Sequence, residues 1–117
     1  MGFKFDYKEP KVIAEIGCNH MGQMDIAKEL IDLAKGAGVK YVKFQKRKNK
    51  ELLTDEQFNA PHPVVENSYG ETYGEHREYL EFNVAQNKEL KKLLRHFRYG
   101  LQYFCLGCYQ CKRDDIF

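Results

Sequence analysis

The first half of the chain alternates between strand-like and helix-like apolar patterns. An apolar run over residues 11–16 ends at Gly17 and predicts a buried strand. Residues 24–37 then show a helical stripe, and residues 41–45 resume a strand pattern a few residues later. This close spacing is typical of a parallel β/α unit and not of a helix bundle. The helical stripe consists of Ile26, Leu30, Leu33 and Ala34.

Residues 46–82 carry the least regular pattern. They open with the basic run Lys46–Lys50, which is typical of a solvated loop and less often of a phosphate or RNA site. Thr54 with Gln57 three residues later predicts a short helix. The rest is rich in proline and glycine, and a loop of this length in a compact domain is usually functional or disordered.

A second helix and a third strand follow this irregular region. Asn83 with Gln86 three residues later predicts the helix start, and Gly100 predicts its end. Residues 101–104 form the next strand-like run. The order strand, helix, strand, long loop, helix, strand predicts an α/β protein. The apolar stripe of this helix consists of Leu90, Leu93, Leu94 and Phe97.

Composition narrows the classes of protein. The 117 residues are 43% hydrophobic and 31% charged, which suits one globular domain. Nineteen Lys and Arg against 17 Asp and Glu give a net charge of +2, too balanced for a dedicated nucleic-acid binder. No apolar run approaches the ~20 residues of a membrane span, and the N-terminus lacks a secretory pattern. We therefore expect a cytoplasmic protein with neither nucleic-acid nor membrane partners.

Three polar residues stand out near the predicted strand ends. Glu15 and Lys43 fall in successive strands, and an unpaired charge is costly to bury. Because parallel strands open on one crevice at their carboxyl ends, the two residues form either a functional pair or a structural salt bridge. His20, in the loop after the first strand, has no partner at ligand spacing, so its pattern favours a loop residue bonded to backbone.

Cysteines provide an alternative function. Cys105, Cys108 and Cys111 are spaced as in runs that bind zinc or an iron–sulfur cluster. A fourth ligand, Cys18, would have to come from the loop after the first strand. The alternative to an enzyme is therefore a small cysteine-rich zinc or iron–sulfur protein.

Three motifs, in order and in register, resemble the sialic acid synthase family (N-acetylneuraminate synthase and relatives). They are residues 13–22 (IAEIGCNHMG), 42–46 (VKFQK) and 68–82 (SYGETYGEHREYLEF). The resemblance implies a (β/α)₈ TIM barrel, of which 117 residues supply the first three β/α units in residues 1–103. It also implies condensation of phosphoenolpyruvate with an N-acylated amino sugar, a divalent metal (Mn²⁺ or Mg²⁺) that polarises the sugar aldehyde, and a homodimer in full-length relatives.

The resemblance also assigns roles to individual residues. It implies that Glu15 is the catalytic carboxylate near the sugar and that Lys43 contacts phosphoenolpyruvate. Because the family's metal ligands lie on later strands, no residue here is expected to bind the metal. The 68–82 motif on the long loop is implied to recognise the sugar or to act as a lid. The alternative is that it caps a helix or packs between subunits. The other substrate-binding residues implied are Gln45, Asn19, His20, Tyr73, His76 and Arg77.

Two further expectations concern the acceptor sugar and the tail. The 68–82 motif is most similar to synthases that use N-acetylmannosamine or its 6-phosphate, although legionaminic and pseudaminic acid synthases share these motifs. Residues 104–117 depart abruptly from the family, and a one-base displacement of their codons restores a family-like segment. We therefore interpret residues 104–117 as a frameshifted tail and expect the 117-residue chain alone to be inactive.

Overall fold

The computed structural model describes residues 10–97 and the backbone of residues 100–106. The protein is a mixed α/β structure, as the sequence predicts. In chain order its elements are β1 (Ile13–Gly17), α1 (Met24–Gly36), β2 (Tyr41–Arg47), α2 (Asn49–Leu52), α3 (Asp55–Asn59), a 3₁₀ turn (Val65–Asn67), α4 (Tyr73–Tyr79), α5 (Val84–His96) and β3 (Gly100–Leu106).

The three strands form one parallel sheet in the order β1-β2-β3. Strand β1 pairs with β2 so that Glu15 lies opposite Lys43, and β2 pairs with β3 along its whole length. All three predicted strands are therefore confirmed. Parallel strands adjacent in both sequence and space require a crossover between them, which α1 and α5 provide.

A bulge ends β1. The register shifts between Glu15 and Gly17, and Gly17 has φ of +56°, a left-handed conformation that glycine adopts without strain. The chain thus turns sharply after Glu15, and the loop that follows crosses the carboxyl edge of the sheet.

The apolar core lies on one face of the sheet, under α1 and α5. Alternation along β2 directs Val42 and Phe44 to this face and Lys43 and Gln45 to the other. The predicted stripe of α1 is shifted, because Leu33 is 70% exposed while the helix buries Ala27, Ile31 and Ala34. Together the buried apolar residues are Ile16, Ala27, Ile31, Ala34, Val42, Phe44, Phe82, Leu90 and Leu94.

The segment predicted to be mostly irregular, residues 46–82, begins with the last two residues of β2 and contains several short helices. Hydrogen-bonded capping boxes begin α3, α4 and α5, and those at Thr54 and Asn83 match the predicted helix starts. Gly74 allows α4 to contact α3, because a Cβ there would lie 2.3 Å from the Phe58 ring. In the part of the chain that the structure describes, no helix is long and apolar enough to cross a membrane.

Candidate functional site

Glu15 and Lys43 form an ion pair on the sheet face opposite the helices. Their Cα atoms are register partners, so the two side chains extend from the same face of adjacent strands. The Glu15 side chain is 54% exposed and that of Lys43 is 30% exposed. The pair is therefore accessible to a ligand, unlike a salt bridge sealed inside a core.

Arg47 connects this face to the loop after β1. It lies two residues beyond Gln45 on β2, and its Nη2 donates hydrogen bonds to Gln45 Oε1 at 3.0 Å and to Cys18 Sγ at 2.9 Å. Burial raises the pKa of the Cys18 thiol, while the Arg47 guanidinium opposes the shift. Cys18 therefore serves here as a protonated acceptor of the Arg47 hydrogen bond and not as a reactive thiolate.

A buried carboxylate, Glu81, holds the end of β2. Its side chain is 6% exposed, and Oε2 accepts hydrogen bonds from the Arg47 backbone N–H at 3.0 Å and from Lys46 Nζ at 3.3 Å. Oε1 lies 4.0 Å from Arg47 Nε. The two cations attract the carboxylate into this position, which compensates for its desolvation.

Asn19 and His20 occupy the loop after β1 but have different surroundings. Asn19 is exposed and donates from Nδ2 to the Ile16 carbonyl at 2.9 Å. His20 is buried, stacks on Phe82 with ring centroids 3.9 Å apart, and accepts the Gly22 N–H at Nδ1. Burial lowers the pKa of His20 to about 4, so its ring is neutral at pH 7.

Tyr73, His76 and Arg77 share α4. Arg77 Nε donates to the Tyr73 hydroxyl at 3.1 Å, and its guanidinium lies 5.0 Å from the centre of the Tyr73 ring. His76 Nδ1 accepts the Tyr69 N–H at 3.2 Å, and its ring centroid is 4.3 Å from that of His62. Partial burial, followed by the neighbouring charges, lowers the pKa of His76.

Tyr73 and Arg77 also border a cleft. The cleft has a volume of about 360 Å³ and is formed between α3, α4 and the proline-rich segment. A hydrogen bond of 3.3 Å from Asn49 Nδ2 to Glu78 Oε1 joins α4 to the segment after β2. The residues lining the cleft are Leu53, Gln57, Ala60, Pro61, Pro63, Tyr73 and Arg77.

The structure therefore brings together some of the predicted residues and separates others. Glu15, Lys43 and Gln45 share one sheet face, whereas His20 packs near Phe44 on the helix side. Sequence reasoning missed Arg47, which it treated as part of the basic loop, and Glu81, which it treated as part of the 68–82 motif. The alternation along β2 extends from Lys43 through Gln45 to Arg47 and would have identified Arg47.

A metal site needs several His, Cys, Asp or Glu side chains close together. Among residues 10–97, whose side chains the structure describes, no three of these are grouped to hold a metal ion. Cys108 and Cys111 lie outside the described residues, and Cys105 is described only through its backbone. The cysteine-cluster hypothesis and the frameshifted tail over residues 104–117 both stay predictions.

Comparison with known proteins identifies the family. The NeuB family model matches residues 30–109, which is more than half of the chain. The chain belongs to the NeuB family. N-acetylneuraminate-9-phosphate synthase of Homo sapiens is 41% identical to this NeuB family chain over 81 residues, covering 69% of the chain and 22% of the human protein.

Two other relatives agree with this assignment. The Drosophila melanogaster protein of the same name is 42% identical over 80 residues, covering 68% of the chain and 21% of that protein. N,N'-diacetyllegionaminic acid synthase of Campylobacter jejuni is 34% identical over 83 residues, covering 71% and 25%. The NeuB family chain thus spans about a quarter or less of the length of these curated relatives, and the sequence-based family prediction is confirmed.

Proposed function

We propose that this chain forms the N-terminal part of the substrate pocket of a sialic-acid-type synthase. The synthase would condense phosphoenolpyruvate with N-acetylmannosamine or a related amino sugar. The observation that carries the proposal is the accessible Glu15 and Lys43 ion pair on adjacent parallel strands of a NeuB family chain. In β/α proteins, ligands bind at the carboxyl edge of such strands.

The proposed chemistry assigns a role to each member of the pair. C3 of phosphoenolpyruvate forms a bond to the aldehyde carbon of the open-chain sugar, and the aldehyde oxygen takes a proton to become a hydroxyl. Water adds at C2, and phosphate leaves by cleavage of its C–O bond. The Lys43 ammonium balances the negative charge of phosphoenolpyruvate, while Glu15 accepts a proton or orients the reacting hydroxyl.

The sheet supports a further part of this proposal. Three parallel strands that are neighbours in both sequence and space have the order expected for the first three β/α units of a (β/α)₈ barrel. A barrel requires about 250 residues, so we expect no turnover from residues 1–117 alone. The homodimer of full-length relatives and a cytoplasmic location belong to the same proposal.

The acceptor sugar is proposed from the relatives. Identity is 41% to 42% with the N-acetylneuraminate-9-phosphate synthases and 34% with the diacetyllegionaminic acid synthase. This difference favours N-acetylmannosamine 6-phosphate, whose condensation product would be a 9-phosphate. The divalent metal belongs to the same proposal, and none of the side chains in residues 10–97 is assigned to hold it.

Binding of phosphoenolpyruvate tests the proposal. In a titration of the ¹⁵N-labelled chain, we expect saturable shifts in the backbone amide signals of Glu15, Lys43 and Gln45. Lys43→Met removes the counter-charge and should weaken binding at least about tenfold. Lys28→Met is the matched control, because Lys28 pairs with Glu89 at an exposed site away from this face.

Two results would contradict the proposal. One is a set of shifts that Lys43→Met leaves unchanged. The other is the absence of any shift at β1 and β2 in a chain whose spectrum shows that it is folded.

A further inference from the structure

The Arg47 side chain is largely enclosed by its neighbours. It is 13% exposed, and a single nitrogen, Nη2, contacts both Gln45 and Cys18. A guanidinium this enclosed has little surface left for a substrate. An effect of Arg47 on a ligand would therefore act through a neighbour, and of its contacts Gln45 is the one on the same strand face as Lys43.

The hydrogen bond to Arg47 fixes the orientation of the Gln45 amide. Arg47 is only a donor, so the amide directs its oxygen toward Arg47 and its NH₂ group away from it. Gln45 Oε1 lies 3.9 Å, and Glu15 Oε1 lies 3.4 Å, from the point where a Cβ on Gly17 would stand. The amide oxygen and the carboxylate of the proposed site therefore both lie beside Gly17.

Glu81 in turn fixes Arg47. Its carboxylate accepts the Arg47 backbone N–H, and Oε1 is 4.0 Å from Arg47 Nε. Among the described residues, both of these side-chain atoms are buried without a hydrogen-bond partner. Charge attraction therefore contributes to holding the guanidinium, and removing the carboxylate would leave a buried cation with less compensation.

We propose that Arg47, anchored by Glu81, is a positioning residue that orients the Gln45 amide so that its NH₂ group donates to an oxygen of phosphoenolpyruvate. The proposal rests on the proposed function for the identity of that ligand. It does not depend on that function for the orientation of the amide. The two parts can therefore fail separately.

The experiment measures the side-chain amide of Gln45 by ¹⁵N NMR in the complete chain. In the unmodified protein we expect restricted motion, with an order parameter of about 0.8, whereas exposed Gln23 should lie below about 0.6. Arg47→Met should lower the value for Gln45 to that of Gln23. Phosphoenolpyruvate should shift the Gln45 NH₂ signals in the unmodified chain and not in Arg47→Met.

Two further variants separate positioning from a general structural role. Arg47→Met removes the charge near Glu81 and should lower the melting temperature. Arg47→Lys keeps that charge but loses the planar fork, so it should have a melting temperature close to that of the unmodified chain and leave Gln45 mobile. Glu81→Gln should raise the mobility of Gln45, whereas Glu78→Gln, the same change at an exposed position on α4 that contacts Asn49, should not.

Each outcome decides one part. If the Gln45 amide of the unmodified chain is as mobile as the Gln23 amide, the positioning role is overturned. Full restoration of Gln45 order by Arg47→Lys also overturns it. An ordered amide that does not respond to phosphoenolpyruvate supports the positioning role and overturns the proposed ligand.

Discussion

The helix-covered face of the sheet and the segment over its carboxyl edge are stabilised in different ways. On the covered face, Val42, Ile31 and Leu94 are fully buried in a continuous apolar cluster. Over the edge, residues 48–81 bury little apolar surface and depend on capping boxes, a glycine contact and the buried carboxylate of Glu81. The candidate site on β1 and β2 is linked to this second region by Arg47, which contacts both Gln45 and Glu81.

This difference shows how the molecule separates stability from binding. Apolar burial is non-directional and scales with area, so it holds the strands without specifying polar geometry. Hydrogen bonds to charged groups are directional, so they can place individual atoms such as the Gln45 amide. Four substitutions or conditions test this division, beginning with the largest expected effect.

The largest effect should come from truncating the core. Leu94→Ala removes a fully buried side chain from α5 and should lower the free energy of unfolding by about 3 kcal/mol. Leu33→Ala, at a 70% exposed position on α1, should cost less than about 0.5 kcal/mol. Urea unfolding measures both. Equal losses would show that the covered face is not the main source of stability.

Acid should lower the free energy of unfolding through protonation of His20. Its pKa is about 4 in the fold against 6.5 for an unperturbed histidine, so between these values the unfolded chain binds a proton that the fold excludes. Stability should fall as pH drops from 6.5 to 4, by about 3 kcal/mol in total.

Urea unfolding across this pH range measures the contribution of His20. His20→Gln should remove this part of the pH dependence, and the exposed control His96→Gln should leave it in place. A pH dependence that is identical in His20→Gln would refute the assignment.

Adding one methyl group at the α3 and α4 contact should have an intermediate effect. Gly74→Ala places a Cβ 2.3 Å from the Phe58 ring and should destabilise residues 48–81, over the carboxyl edge of the sheet, by about 2 kcal/mol. The double variant Gly74→Ala, Phe58→Ala should recover part of that loss. Gly36→Ala is the control, because a Cβ there has no neighbour within 4 Å among the described residues.

The smallest effect should come from losing a cap. Thr72→Ala removes the hydroxyl that accepts the Glu75 N–H and should destabilise α4 by about 1 kcal/mol. Because α4 lies within residues 48–81 and not on the covered face, its lower stability should be seen as faster hydrogen exchange in residues 73–79 with α5 unchanged. Uniformly faster exchange in both helices would mean that the two regions unfold as one unit.

The sequence predicted the regions that follow periodic rules. The strands, α5 and the capping boxes at Thr54 and Asn83 were all recognisable, because apolar spacing and cap residues act locally. The short helix α4 was missed although Thr72 and Glu75 form the same local cap signal, and its packing depends on contacts such as that of Gly74 with Phe58. Such contacts join residues distant in sequence.

The candidate site shows the same division. Glu15 and Lys43 were predicted as a pair because each is a charge in a strand-like run, and the register then placed them opposite each other. Glu81 and Arg47 were not predicted, because their meeting depends on how the chain returns over the end of β2 after 34 residues. No local pattern encodes that return.

Turnover by a hybrid enzyme tests the central claim most directly. In human N-acetylneuraminate-9-phosphate synthase, the segment that aligns with this chain would be replaced by the aligned residues of this chain up to residue 103, and release of phosphate from phosphoenolpyruvate would be measured. We expect the hybrid to retain turnover and Lys43→Met in the hybrid to lose at least about 100-fold, while Lys28→Met changes little. A folded hybrid without turnover, or one in which Lys43→Met is fully active, would contradict the account.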